Sequence, residues 1–160
     1  MPSFVLSTTS TLPRLLSSGE TGRIDPSGVL ASSSATAPLT LNGAAVFQNL
    51  GLLLSSQTDA IRVLGQGAAI QNVGQIRVGT GGGASGIEYA GSAAVANLTI
   101  HNIGLIEATS ASGFGILIAV PAVAGFLLMP VSAAPPLTIG AVNLPAFAIV
   151  IGSTLVSTPW

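Results

Sequence analysis

Acid–base or metal chemistry in this 160-residue chain would rest on one histidine, five acids and four arginines. His101 has no cysteine to work with, because the chain contains none, and no acidic cluster lies near it. A metal site or a nucleophile–base arrangement needs such partners. His101 therefore reads as a lone ring or loop contact. The acids Glu20, Asp25, Asp59, Glu88 and Glu107 are scattered along the chain. A glycosidase needs two carboxyls at a fixed separation, and nothing in the spacing points to one. Arg62 in "IRVLG" and Glu88 in "IEYAG" each follow an isoleucine by one residue. If those segments stack, the two side chains form an outward ion-pair rung, worth at most ~1 kcal/mol when exposed. "GTGGGASG" (79–86) lacks the Lys-Ser/Thr of a phosphate-binding loop and reads as a surface loop. "NLT" (97–99) fits a glycosylation sequon, but its neighbours read as strand core. No catalytic residue, cofactor or metal is expected.

The most regular chemistry-bearing pattern is an Asn two residues before a Gly. It occurs at Asn49 and Gly51, Asn72 and Gly74, and Asn102 and Gly104. Around it runs a wider frame, apolar-x-x-x-Gly-x-apolar. The frame reads Ile24–Gly28–Leu30, Phe47–Gly51–Leu53, Ile70–Gly74–Ile76 and Ile100–Gly104–Ile106. In the first copy Pro26 holds the Asn place. Between copies lies a second frame: "LTLNG", "IRVLG", "IEYAG" and, without its Gly, "ILIAV". A recurrence of this kind marks a repeat architecture. Asn and Gly then become turn residues, with Gly at positive φ and Asn side chains bonding from unit to unit as a ladder.

The elements that must carry these positions are strands. "IQNVGQIRV" alternates apolar and polar residues, a period of two. Units of this length, with short strands and no helical segment, suit one coil of a parallel β-solenoid. They lack the Leu-x-x-Leu-x-Leu density of leucine-rich repeats, and an Ig-like sandwich predicts no self-similar units. Ile24, Phe47, Ile70 and Ile100 would form one interior stripe, and Leu30, Leu53, Ile76 and Ile106 another. The fold class is all-β: a short parallel β-helix of about four to six coils, followed by an apolar, Pro-rich β segment.

Composition agrees. Charged residues make up 6% of the chain, aromatics 4%, and mean hydropathy is +0.76. A net charge of −1 with no basic cluster argues against nucleic acid. "FGILIAVPAVAGFLLMP" (114–130) is the most apolar run. It is short for a bilayer span, contains Pro121 and Gly125, and has no basic flank, so it reads as strand–turn–strand. The start, "MPSFVLSTTSTLPRLL", lacks the basic and apolar regions of a signal peptide.

The units "QNVGQI" with "SGIEYAG" and "HNIGLI" with "FGILIAV", after "LLSSGETGRIDPSGVLAS", resemble the right-handed β-helix repeats of bacterial autotransporter passenger and haemagglutinin-like surface domains. The resemblance covers roughly residues 15–120. It implies a β-helix and, for function, a surface adhesin. No C-terminal barrel of the autotransporter kind fits the remaining residues.

Three regions follow: an N-terminal cap strand (1–20), β-helix coils (21–120) and an apolar Pro-rich C-terminal cap and oligomerisation segment (121–160). From Ala108 onward, 53 residues carry no charge. Large apolar surface marks a contact with another molecule. Phe114, Phe126, Leu127, Leu128, Met129, Phe147 and Trp160 are the candidate self-association residues. The expected function is a non-catalytic structural protein whose partners are copies of itself and, beyond them, other virion or cell-surface proteins rather than a membrane. Its expected setting is a virion, as capsid decoration or a tail or fibre piece. A bacterial surface adhesin or filament subunit is the alternative, and a carbohydrate-active β-helix enzyme stands third.

Overall fold

The computed structural model describes residues 3–79, 82–91, 98–109, 113–118, 149–151 and 154–156. The described chain winds through five coils of three short strands each. Coil one holds β1 (Phe4–Leu6), β2 (Thr9–Ser10) and β3 (Arg14–Ser17). Coil two holds β4 (Thr21–Ile24), β5 (Val29–Ser32) and β6 (Leu39–Asn42). Coil three holds β7 (Val46–Asn49), β8 (Leu52–Ser55) and β9 (Ile61–Val63). Coil four holds β10 (Ala69–Asn72), β11 (Gln75–Val78) and β12 (Ile87–Tyr89). Coil five holds β13 (Thr99–Asn102), β14 (Leu105–Ala108) and β15 (Ile116–Ile118).

Each strand pairs in parallel with its counterpart one coil away. The result is three five-stranded sheets: A (β1, β4, β7, β10, β13), B (β2, β5, β8, β11, β14) and C (β3, β6, β9, β12, β15). This is a short parallel β-helix. A separate antiparallel pair, β16 (Ile149–Ile151) and β17 (Thr154–Val156), follows, with β16 close to β15. Among the described residues no helix is long and apolar enough to cross a membrane.

Alternation fixes which side chains enter the core. In "AIQN" of β10, Ile70 and Asn72 point inward while Gln71 is exposed. Parallel pairing repeats that choice on every coil, so equivalent positions form columns about 4.8 Å apart. One column is Leu30–Leu53–Ile76–Ile106 and another is Leu39–Ile61–Ile87–Ile116. The first three members of each are fully or almost fully buried.

The expected stripe through Ile24 is different. Gly22, not Ile24, pairs with Phe47, and Ile24 pairs with Asn49. Four residues separate β4 from β5, whereas two separate β7 from β8. The first copy therefore has two extra residues in its turn. Gly28 aligns with Gly51, but everything before it slips by two. Pro26 consequently does not occupy the Asn position.

Coil one contributes an edge strand to each of the three sheets. Gly22 leaves room that the Phe4 ring fills, and that ring lies 6.4 Å from Phe47. Arg14 occupies the inward column above Leu39, with its guanidinium 5.7 Å from the centre of the Phe4 ring. An inward charge on an edge strand opposes the addition of another strand.

Candidate functional site

Two polar constellations stand out. The first is the ladder at the corner between sheets A and B. Asn49, Asn72 and Asn102 pair across successive coils. Asn49 Nδ2 donates to Asn72 Oδ1 at 2.7 Å and to the Gln75 carbonyl at 3.0 Å. Asn72 Nδ2 donates to Asn102 Oδ1 at 2.6 Å and to the Leu105 carbonyl at 3.1 Å. Asn102 Nδ2 donates to the Gly104 carbonyl at 3.1 Å. Asn49 and Asn72 are fully buried, and these bonds satisfy the whole Asn72 amide and the Nδ2 of Asn49, groups that water cannot reach.

The glycines of the same turns act through space, not through positive φ. Positive φ occurs at Gly19, Gly43, Gly67 and Gly83, and not at Gly51, Gly74 or Gly104. A Cβ on Gly74 would strike the backbone of Leu50 and Gly51. One on Gly104 would strike that of Val73 and Gly74. The corner is so tight that each turn rests on the backbone of the coil before it. A side chain there would force the coils apart.

The second constellation is acidic. Glu88 pairs in register with Arg62, and Arg62 Nε stands 3.6 Å from Glu88 Oε2. This is the expected rung. Asp59, which sequence spacing did not bring to it, completes the group. It is buried, and its Oδ1 accepts a hydrogen bond from the Ser85 backbone N–H at 2.7 Å. Glu88 shares a side-chain hydrogen bond with Asp59. Burial first, then the bond and negative charge of Asp59, raise the Glu88 carboxyl from 4.5 to about 7, against the pull of Arg62. Near neutral pH Glu88 can thus hold a proton and donate it to Asp59.

That geometry does not suit this pair of carboxyls to sugar hydrolysis. Glycosidase carboxyls stand roughly 5–5.5 Å or 6.5–9.5 Å apart to accommodate a sugar or a water. Two carboxyls joined by a hydrogen bond leave no such gap. Among the described residues, no group of three or more His, Cys, Asp or Glu side chains could hold a metal ion.

His101 lies on the outer face of sheet A, beside Gln71, which accepts a bond from Gln48 Nε2 at 2.9 Å. It stands on a different sheet from Glu88. Phe114 is half-buried, and its carbonyl accepts from Gly86 N–H at 2.9 Å. Phe126, Leu127, Leu128, Met129, Phe147 and Trp160 lie outside the described residues, as do Thr80 and Gly81 of the glycine-rich stretch and Asn97 of the sequon. Leu98 of that sequon is buried and stands immediately before β13.

Comparisons with protein-family models, with curated proteins and with solved structures gave no match.

Proposed function

We propose that this chain is a non-catalytic structural protein, a rigid β-helical unit that assembles with copies of itself. The observation that carries the reading is a solenoid laddered from coil to coil whose last coil opens a stretch without a charge, 53 residues from Ala108 onward. In the solenoid the repeated polar positions are spent on coil-to-coil bonds: asparagine to asparagine, glutamine to glutamine, arginine to glutamate. Such a column is stiff and presents few free groups to a small ligand. The charge-free stretch supplies apolar surface that a self-assembling particle or filament buries between its subunits.

A virion component and a bacterial surface adhesin or filament subunit would each use a rod of this kind. The genes beside this one discriminate: capsid or tail proteins support the first, a secretion system the second. Electron microscopy of the purified full chain tests the shared claim. Regular particles or filaments are the expected image, and a field of single 15.7 kDa chains would overturn it.

A further inference from the structure

The corner that buries the asparagine ladder also presents an apolar ridge outward. In each Asn-x-Gly turn the middle residue is apolar: Leu50, Val73 and Ile103. Its Asn neighbour turns inward and its Gly neighbour presses on the backbone of the previous coil, so the middle side chain faces outward. Val73 is 40% exposed and Ile103 61%. Beside the ridge on sheet B, Arg77 and Glu107 pair in register on coils four and five, at 3.6 Å and each nearly half exposed.

We propose that this ridge and the Arg77–Glu107 pair form a lateral interface for a second, antiparallel copy of the chain. The proposal rests on the self-assembly reading and names a surface for it within the solenoid. The arrangement of charge selects the occupant. A twofold axis lying along the strands, between coils four and five, exchanges those coils between copies. Arg77 then meets Glu107 of the partner copy, and Val73 meets Ile103 of the partner copy. One positive and one negative group at equivalent places make the face complementary to itself. A uniformly acidic or basic partner would meet repulsion at one of the two. End-on stacking at the N-terminal end is opposed by the inward Arg14.

Sedimentation velocity on the full chain tests the interface with Arg77→Glu, Glu107→Arg and Ile103→Asp, each checked for its strand circular-dichroism signal. Arg77→Glu and Glu107→Arg should each weaken lateral association at least tenfold. An equimolar mixture of the two should restore it, because an all-glutamate pair then faces an all-arginine pair. Ile103→Asp should weaken association with no rescue by mixing. Association of wild type that none of the three variants changes overturns this interface and leaves the assembly reading standing. A wild-type chain that stays monomeric overturns both.

Discussion

Ile24 stands beside Asn49 on the neighbouring coil, at the rung where coils four and five each carry another asparagine. Ile24 has no side-chain donor, and Asn49 Oδ1 is buried without a partner. The ladder therefore has a weak end at Asn49 and a fully bonded rung at Asn72.

This asymmetry predicts unequal costs for the same substitution. Asn72→Ala leaves Asn102 Oδ1 and the Leu105 carbonyl without their donor and takes the acceptor from Asn49 Nδ2. Asn49→Ala removes fewer bonds and relieves one orphaned oxygen. Each buried group left unsatisfied costs about 1–3 kcal/mol. Asn72→Ala is expected to lose about 3 kcal/mol in urea unfolding, and Asn49→Ala about 1–2 kcal/mol less. Equal losses would show that the ladder is not the source of the stability.

The glycines separate crowding from backbone freedom. Gly74→Ala drives a methyl into the backbone of the previous coil, so a loss of about 3 kcal/mol or more is expected, or no folding at all. Gly82→Ala meets nothing within 4 Å and is not at positive φ. It should be neutral or stabilise by about 0.5 kcal/mol. Thermal melts of the two variants provide the check. A tolerated Gly74→Ala would mean that the corner is looser than described.

Glu88 gives the solenoid a pH dependence of definite sign. Its folded carboxyl titrates near 7 and its unfolded carboxyl near 4.5. Between those values the unfolded chain has already released the proton that the folded chain keeps. Stability therefore falls as pH rises through that window and levels off above it. The contribution is about 1–2 kcal/mol after solvent screening of a partly exposed group. Glu88→Gln keeps a donor for Asp59 at every pH, so it should flatten the slope between pH 5 and about 7 and melt above wild type at higher pH. A variant that keeps the wild-type slope would assign the effect elsewhere.

Much of this was legible in the sequence, and the limits have physical causes. The column through Leu30, Leu53, Ile76 and Ile106 follows directly from alternation and the turn spacing. The column through Ile24 does not, because Gly28 fixes the alignment on one side of a turn lengthened by two residues. The Arg62–Glu88 rung was readable because both side chains belong to equivalent strands. Asp59 was not, because it reaches Glu88 from a corner before the strand, and no strand period encodes that. The apolar middle residue of each Asn-x-Gly turn was visible throughout. Its outward direction became clear only once the asparagines were seen to point in. The candidate residues from Phe126 to Trp160 lie outside the described residues, so the structure adds nothing to them.

The central claim is that this solenoid works as an assembled structural unit. Light scattering on the full chain, coupled to size exclusion across a dilution series, tests it most directly. A mass that is a multiple of 15.7 kDa, falling on dilution, is the predicted result. A constant 15.7 kDa at every concentration would contradict it.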